Sequence, residues 1–127
     1  MRIVLAALVL LPLSSLAEIV TIDFVRILNG NEEEAVYYYE QNWEQYRVKA
    51  MERGFISSYQ LLLKTSDDGN TDILLMTGYA SESQYAQREE NFAIVMQNPE
   101  RDGPHLLNEK LPGEFREVFD GGVFSTD

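Results

Sequence analysis

Asn31–Gly54, NEEEAVYYYEQNWEQYRVKAMERG, is the longest clean helical signal in the chain and carries its single Trp. Asn31 is a suitable N-cap, and Glu32, Glu33 and Glu34 place negative charge at the positive end of the helix dipole. Val36, Tyr39, Trp43, Tyr46 and Ala50 recur at helical spacing and share one face. Arg47, Lys49 and Arg53 lie toward the other end, where positive charge is favoured, and Gly54 supplies the stop.

Upstream of this helix, Glu18–Leu28 reads as a strand. Val20, Ile22, Phe24, Arg26 and Leu28 point one way; Ile19, Thr21, Asp23, Val25 and Ile27 point the other. Both faces are mainly apolar and neither Pro nor Gly interrupts, so a central strand is expected. Asn29-Gly30 turns the chain into the helix.

Downstream, Phe55–Thr65 reads as a second strand, and Ser66–Thr71 is a hairpin loop made of turn residues. Asp72–Ala80 is a third strand, with Ile73, Leu75, Thr77 and Tyr79 on one face. Ser81-Glu82-Ser83-Gln84 fits a capping box for a second helix with Tyr85, Phe92, Val95 and Met96 as its buried stripe, ended by Asn98-Pro99. His105-Leu106-Leu107 is readable as a short helical turn. Glu114–Phe119 is expected to be a fourth strand, with a fraying tail after Gly121-Gly122.

The order strand, helix, strand, strand, helix, strand, with right-handed crossovers, gives an α+β, ferredoxin-like βαββαβ fold. It has a four-stranded antiparallel sheet with the first and third strands central and two helices on one face. Two helices shield only one face, yet the central strands are apolar on both. The cover expected for the other face is the same sheet of a second copy, giving a homodimer packed sheet to sheet.

Residues 1–17 are read as a secretory signal. Arg2 precedes an apolar run from Ile3 to Leu13, and Ser15-Leu16-Ala17 supplies small residues for cleavage after Ala17. The run is too short for a membrane-spanning helix, which needs about 20 apolar residues. Residues 18–127 then form a single domain, secreted or periplasmic. The chain contains no Cys, which suits a bacterial periplasm or exterior better than a disulfide-dense secreted scaffold.

The formal net charge is −11. Such a surface repels phosphate backbones and anionic lipid, so neither nucleic acid nor a membrane surface is an expected partner.

The strand pattern, Leu28-Asn29-Gly30-Asn31, the acidic helix start, Trp43 and Gly54 before an apolar strand together resemble the dimeric α/β-barrel superfamily. That group includes antibiotic-biosynthesis-type monooxygenases, stress-responsive barrel proteins and NIPSNAP-like proteins. The resemblance covers almost all of residues 18–127 and implies the ferredoxin-like fold and a sheet-to-sheet dimer. The superfamily hosts oxygenases, cyclases, haem enzymes and proteins of no known activity, so it implies no one function. Its cofactor-independent haem-degrading members use an Asn, a Trp and a His around the pocket. Here no Asn lies inside the first strand, and none of those roles is carried over.

Aromatic residues are the main candidates for ligand binding. Tyr39 and Trp43 on the first helix, with Tyr59 and Tyr79 from strands, would line a cavity between helices and sheet that accepts a flat hydrophobic molecule. Arg26 is an odd charge on a strand otherwise read as buried and is a candidate anion contact. His105, the single histidine, is a candidate base. No catalytic set, metal site or cofactor is expected. Asp68-Gly69-Asn70-Thr71-Asp72 begins like a calcium loop but lacks the Gly and the final Glu, and reads as a hairpin turn. The leading reading is an exported dimer of unknown specific activity, binding a hydrophobic or aromatic small molecule. A cofactor-independent monooxygenase or cyclase, and an acidic interaction module, are the alternatives.

Overall fold

The computed structural model describes residues 18–97 and 103–126. The proposed signal at residues 1–17 and the Asn98-Pro99 helix stop lie outside these. Four strands, β1 (Ile19–Ile27), β2 (Ser58–Thr65), β3 (Thr71–Tyr79) and β4 (Arg116–Ser125), form one antiparallel sheet in the order β2-β3-β1-β4. The two central strands are the two whose sequences are apolar on both faces.

Helices cover the face that carries Ile19, Thr21, Val25 and Ile27. In register with β1, Ile19 faces Tyr79, Thr21 faces Thr77 and Val25 faces Ile73. Val25, Ile73, Leu75 and Phe115 form one buried cluster with Ala35 and Tyr39. Ala50, Ile56, Tyr79 and Val95 form a second. The core therefore lies in two lobes along the sheet.

The first helical stretch comprises α1 (Glu32–Tyr38), a π-helical segment (Tyr39–Trp43) and α2 (Glu44–Glu52). The π segment adds a residue to one turn, and the Glu44 N–H reaches back to the Tyr39 carbonyl. That shift brings Asn42 to the interior beside Tyr39, both 6% exposed. At the end of α2, Gly54 adopts φ 70°. Its N–H bonds to the Met51 carbonyl and that of Phe55 to the Ala50 carbonyl, the paired closure that satisfies a helix terminus.

Asn31 does not cap α1 through its side chain. Its Nδ2 donates to the Glu114 carbonyl at 3.0 Å and its Oδ1 accepts from Lys110 Nζ at 2.7 Å. The helix start is thus tied to the loop before β4. Lys110 also approaches Glu34 at 3.8 Å.

The second helical stretch breaks into α3 (Glu82–Ala86) and α4 (Arg88–Met96) at Gln87, whose ψ is 3°. Ser81 accepts the Gln84 N–H as expected, but Gln84 Oε1 accepts from Ala80 N–H, one residue before the reciprocal capping-box donor. Val95 is buried; Met96, placed in the buried stripe by sequence, is 56% exposed.

The last short helix is α5 (Pro112–Phe115), whereas 105–107 is not helical. Leu111 precedes it, with its N–H held by Glu114 Oε2. Sequence reading ended β4 at Phe119 with a frayed tail. Instead β4 runs through Gly121-Gly122 to Ser125, which pairs with Ile19. The ladder with β1 supplies the backbone bonds that local propensity does not. A bulge at Phe119 shifts the register between Phe24 and Val25. It turns Phe119 to the open face, where its ring lies 6.3 Å from that of Phe24, under the Arg26 guanidinium.

The open face carries Val20, Ile22, Phe24, Leu74, Met76 and Phe124, on the strand positions alternating with the helix-covered set. Phe119 and Phe124 are 40% and 49% exposed.

Candidate functional site

On the helix-covered face of the sheet lies a cleft of about 490 Å³. Thr21, Asp23 and Tyr79 come from the two central strands, Arg47 from α2, and Phe92 and Met96 from α4. Asp23 lines this cleft and is exposed. Across the sheet it pairs with Gly121. A Cβ there would meet Asp23 Oδ1 at 3.1 Å, so the glycine leaves the carboxylate its space.

Arg47 is the central cation. Its Nε donates to Thr77 Oγ1 at 2.9 Å. Its guanidinium lies over the rings of Trp43, at 4.6 Å, and Phe92, at 4.2 Å. Such stacking holds a guanidinium by its planar faces and leaves its edge for a ligand. Burial lowers its pKa from the ordinary 12.5 to about 10, with Tyr79 and Asp23 opposing that shift. No carboxylate among the described residues comes within 4.0 Å of Arg47. The Tyr79 phenol is pushed above its ordinary value by burial, against the pull of Arg47 and a hydrogen bond with Thr21. At the cleft's edge Arg88 stacks on Tyr85 at 4.0 Å and donates to the Tyr85 carbonyl at 3.1 Å.

Of the candidates drawn from sequence, Tyr79 lines this cleft. Trp43 is next to it through Arg47, and its ring meets Tyr59 edge-on at 6.1 Å. Tyr39 belongs to the other core lobe, edge-on to Tyr38 at 5.1 Å. Burial raises its pKa to about 12, and Arg116 opposes this. Arg26 is on the opposite face of the sheet. His105 is exposed and is not among the residues lining the cleft. Its backbone is gripped by Asn42, which donates to the His105 carbonyl at 2.9 Å and accepts its N–H at 2.8 Å.

Arg47 was legible in principle. It lies four residues after Trp43 and three before Ala50, on the apolar stripe itself, and a charge there calls for an explanation. Read only as a favourable charge near a helix end, it loses that meaning.

A separate groove of about 460 Å³ runs along α1, where Glu32, Glu33 and Glu40 surround Val36, Tyr37 and Leu63. In the β2–β3 hairpin, Asp68 spends both carboxylate oxygens on Asn70, accepting its N–H and its side-chain amide at 3.0 Å each. No helix among the described residues is long and apolar enough to cross a membrane.

No family model and no curated protein matches the sequence. In fold, the chain is similar to a solved structure, that of a Bacillus cereus protein provisionally assigned as an antibiotic biosynthesis monooxygenase, with 13% identity, a TM-score of 0.51, and coverage of 86% of this chain and 92% of that one. At that identity the likeness speaks for the fold. Together with the sheet order derived above, it gives the chain a ferredoxin-like α+β architecture, the fold of that structure.

Proposed function

We propose that this chain is an exported homodimer that binds a small hydrophobic or aromatic molecule in the cleft between β1, β3, α2 and α4. One observation carries the binding reading: a concavity of about 490 Å³ in which Phe92, Ala93 and Met96 face Thr21, Tyr79 and Arg47. An apolar wall opposite a few convergent polar groups is the usual composition of a small-molecule site.

The dimer reading draws on the open face. Val20, Ile22, Phe24, Leu74, Met76 and Phe124 form a continuous apolar surface with charge at one end, where Arg26 pairs with Asp72 and Glu117 across the ladders. Covering apolar area contributes about 25 cal/mol per Å², so a second copy of the same sheet gains substantially by packing there. The export reading rests on residues 1–17 alone. The monooxygenase or cyclase alternative draws on the fold likeness, but His105, its candidate base, is not among the cleft-lining residues.

Native mass spectrometry of protein purified from its own host tests the assembly and the ligand together. The expected spectrum shows two mature chains, each starting at Glu18, with added mass that dissociates on activation. A bare single chain at micromolar concentration contradicts both parts.

A further inference from the structure

The Arg47 guanidinium raises a specific question. It is half-buried against two aromatic rings, it makes one hydrogen bond to Thr77, and it has no anionic partner within 4.0 Å among the described residues. Buried cations are normally paired, because desolvation is costly without a counter-charge. Here one edge of the fork is held by a neutral hydroxyl and the group lines an open cleft. We propose that the cleft ligand is an aromatic monocarboxylate, whose carboxylate takes the free edge of Arg47 while its ring lies along Phe92. The proposal rests on the small-molecule reading above and specifies its ligand class.

Three features define that class. A planar fork matches a carboxylate with two parallel N–H···O bonds, a geometry that an ammonium lacks. Phe92, Ala93 and Met96 on α4 give the wall an apolar character suited to a flat hydrocarbon body. Asp23 and Glu89 line the cleft beside Arg47 and Arg88, so its lining is balanced in charge, and the chain as a whole carries a formal net charge of −11. That field disfavours multiply charged anions such as phosphate esters, while a single negative charge seated on Arg47 is tolerated.

The test is titration of the protein with 2-naphthoate and with the neutral, near-isosteric 2-naphthamide, followed by isothermal calorimetry and by fluorescence of the single Trp, whose ring Arg47 stacks on. The expected result is acid binding at least about tenfold tighter than amide. R47Q should abolish that preference, and R47K should keep a part of it, because charge remains but the fork is lost. Circular dichroism and thermal melting check that each variant is folded, and R47K serves where R47Q is not. Equal binding of acid and amide by the wild type, or an unchanged acid-to-amide ratio in the folded Arg47 variants, overturns the carboxylate assignment and leaves the small-molecule reading standing. Binding of neither compound overturns the aromatic-ligand reading itself.

Discussion

Asn42 and His105 are joined by two hydrogen bonds that bypass the imidazole: the Asn42 amide donates to the His105 carbonyl at 2.9 Å, and its oxygen accepts the His105 N–H at 2.8 Å. A third bond, from Asn42 Nδ2 to the Tyr38 carbonyl at 2.6 Å, anchors the same side chain to its own helix. The π-helical segment therefore has a structural purpose. It turns Asn42 inward, where one amide clasps a loop 63 residues away.

Asn42→Ala is predicted to be far more damaging than His105→Ala. Losing Asn42 strands backbone groups of the loop with no partner, at a cost of about 2–3 kcal/mol. Losing the exposed imidazole should change stability by less than about 0.5 kcal/mol. Urea unfolding of both variants checks this, and equal effects would contradict the backbone clasp.

Gly78 is predicted to be constrained by Ser58. A Cβ at Gly78 would collide with Ser58 Oγ and lie 3.3 Å from Ser57 Oγ. Gly78→Ala should destabilise by about 1–3 kcal/mol. Adding Ser58→Ala should recover a measurable part of that loss, so a double-mutant cycle should show coupling. Strict additivity would contradict the collision.

Alkaline titration should separate two opposing groups. Tyr39 has a folded pKa of about 12 against an ordinary 10.0, so the folded protein holds a proton that the unfolded chain releases first. Its contribution is fully present below pH 10 and lost as pH rises toward 12. Arg47 has a folded pKa of about 10 against 12.5. The unfolded chain then holds the extra proton, and stability gains as pH rises through that window. Tyr39→Phe should therefore flatten the alkaline loss of stability between pH 10 and 12. Unfolding free energies measured across that range, wild type against variant, check the sign.

Leu74→Glu is predicted to separate the proposed dimer. Leu74 lies on a central strand of the open face, opposite Phe24. In a two-fold sheet-to-sheet packing each copy would bury the new charge, weakening association by about 100-fold or more. Sedimentation equilibrium should show wild-type dimer and variant monomer with unchanged circular dichroism. A wild-type monomer would remove the basis for that packing.

The sheet was readable from sequence because alternation on both faces of β1 and β3 directly encodes a central position. The strand order follows from the right-handed split connections, whereas the face covered by helices was not readable, because both faces of β1 and β3 are apolar. Other features were not readable because distant partners decide them. The π segment depends on the loop that Asn42 holds, and β4 continues through Gly121-Gly122 because β1 offers a ladder for it. The break at Gln87 divides a helix whose capping signals, taken alone, favour continuity. Aromatic residues attracted attention by number, but they are shared between two core lobes and the cleft. Arg47 gains its meaning only when Trp43, Thr77 and Phe92 meet around it.

The cleft as the binding site is tested most directly by amide chemical-shift mapping of the isotopically labelled protein titrated with 2-naphthoate. The predicted result is saturable shifts concentrated at Thr21, Arg47, Thr77, Tyr79 and Phe92. Shifts confined to the open face around Ile22, Leu74 and Phe124, or no saturable shifts at millimolar ligand, would contradict it.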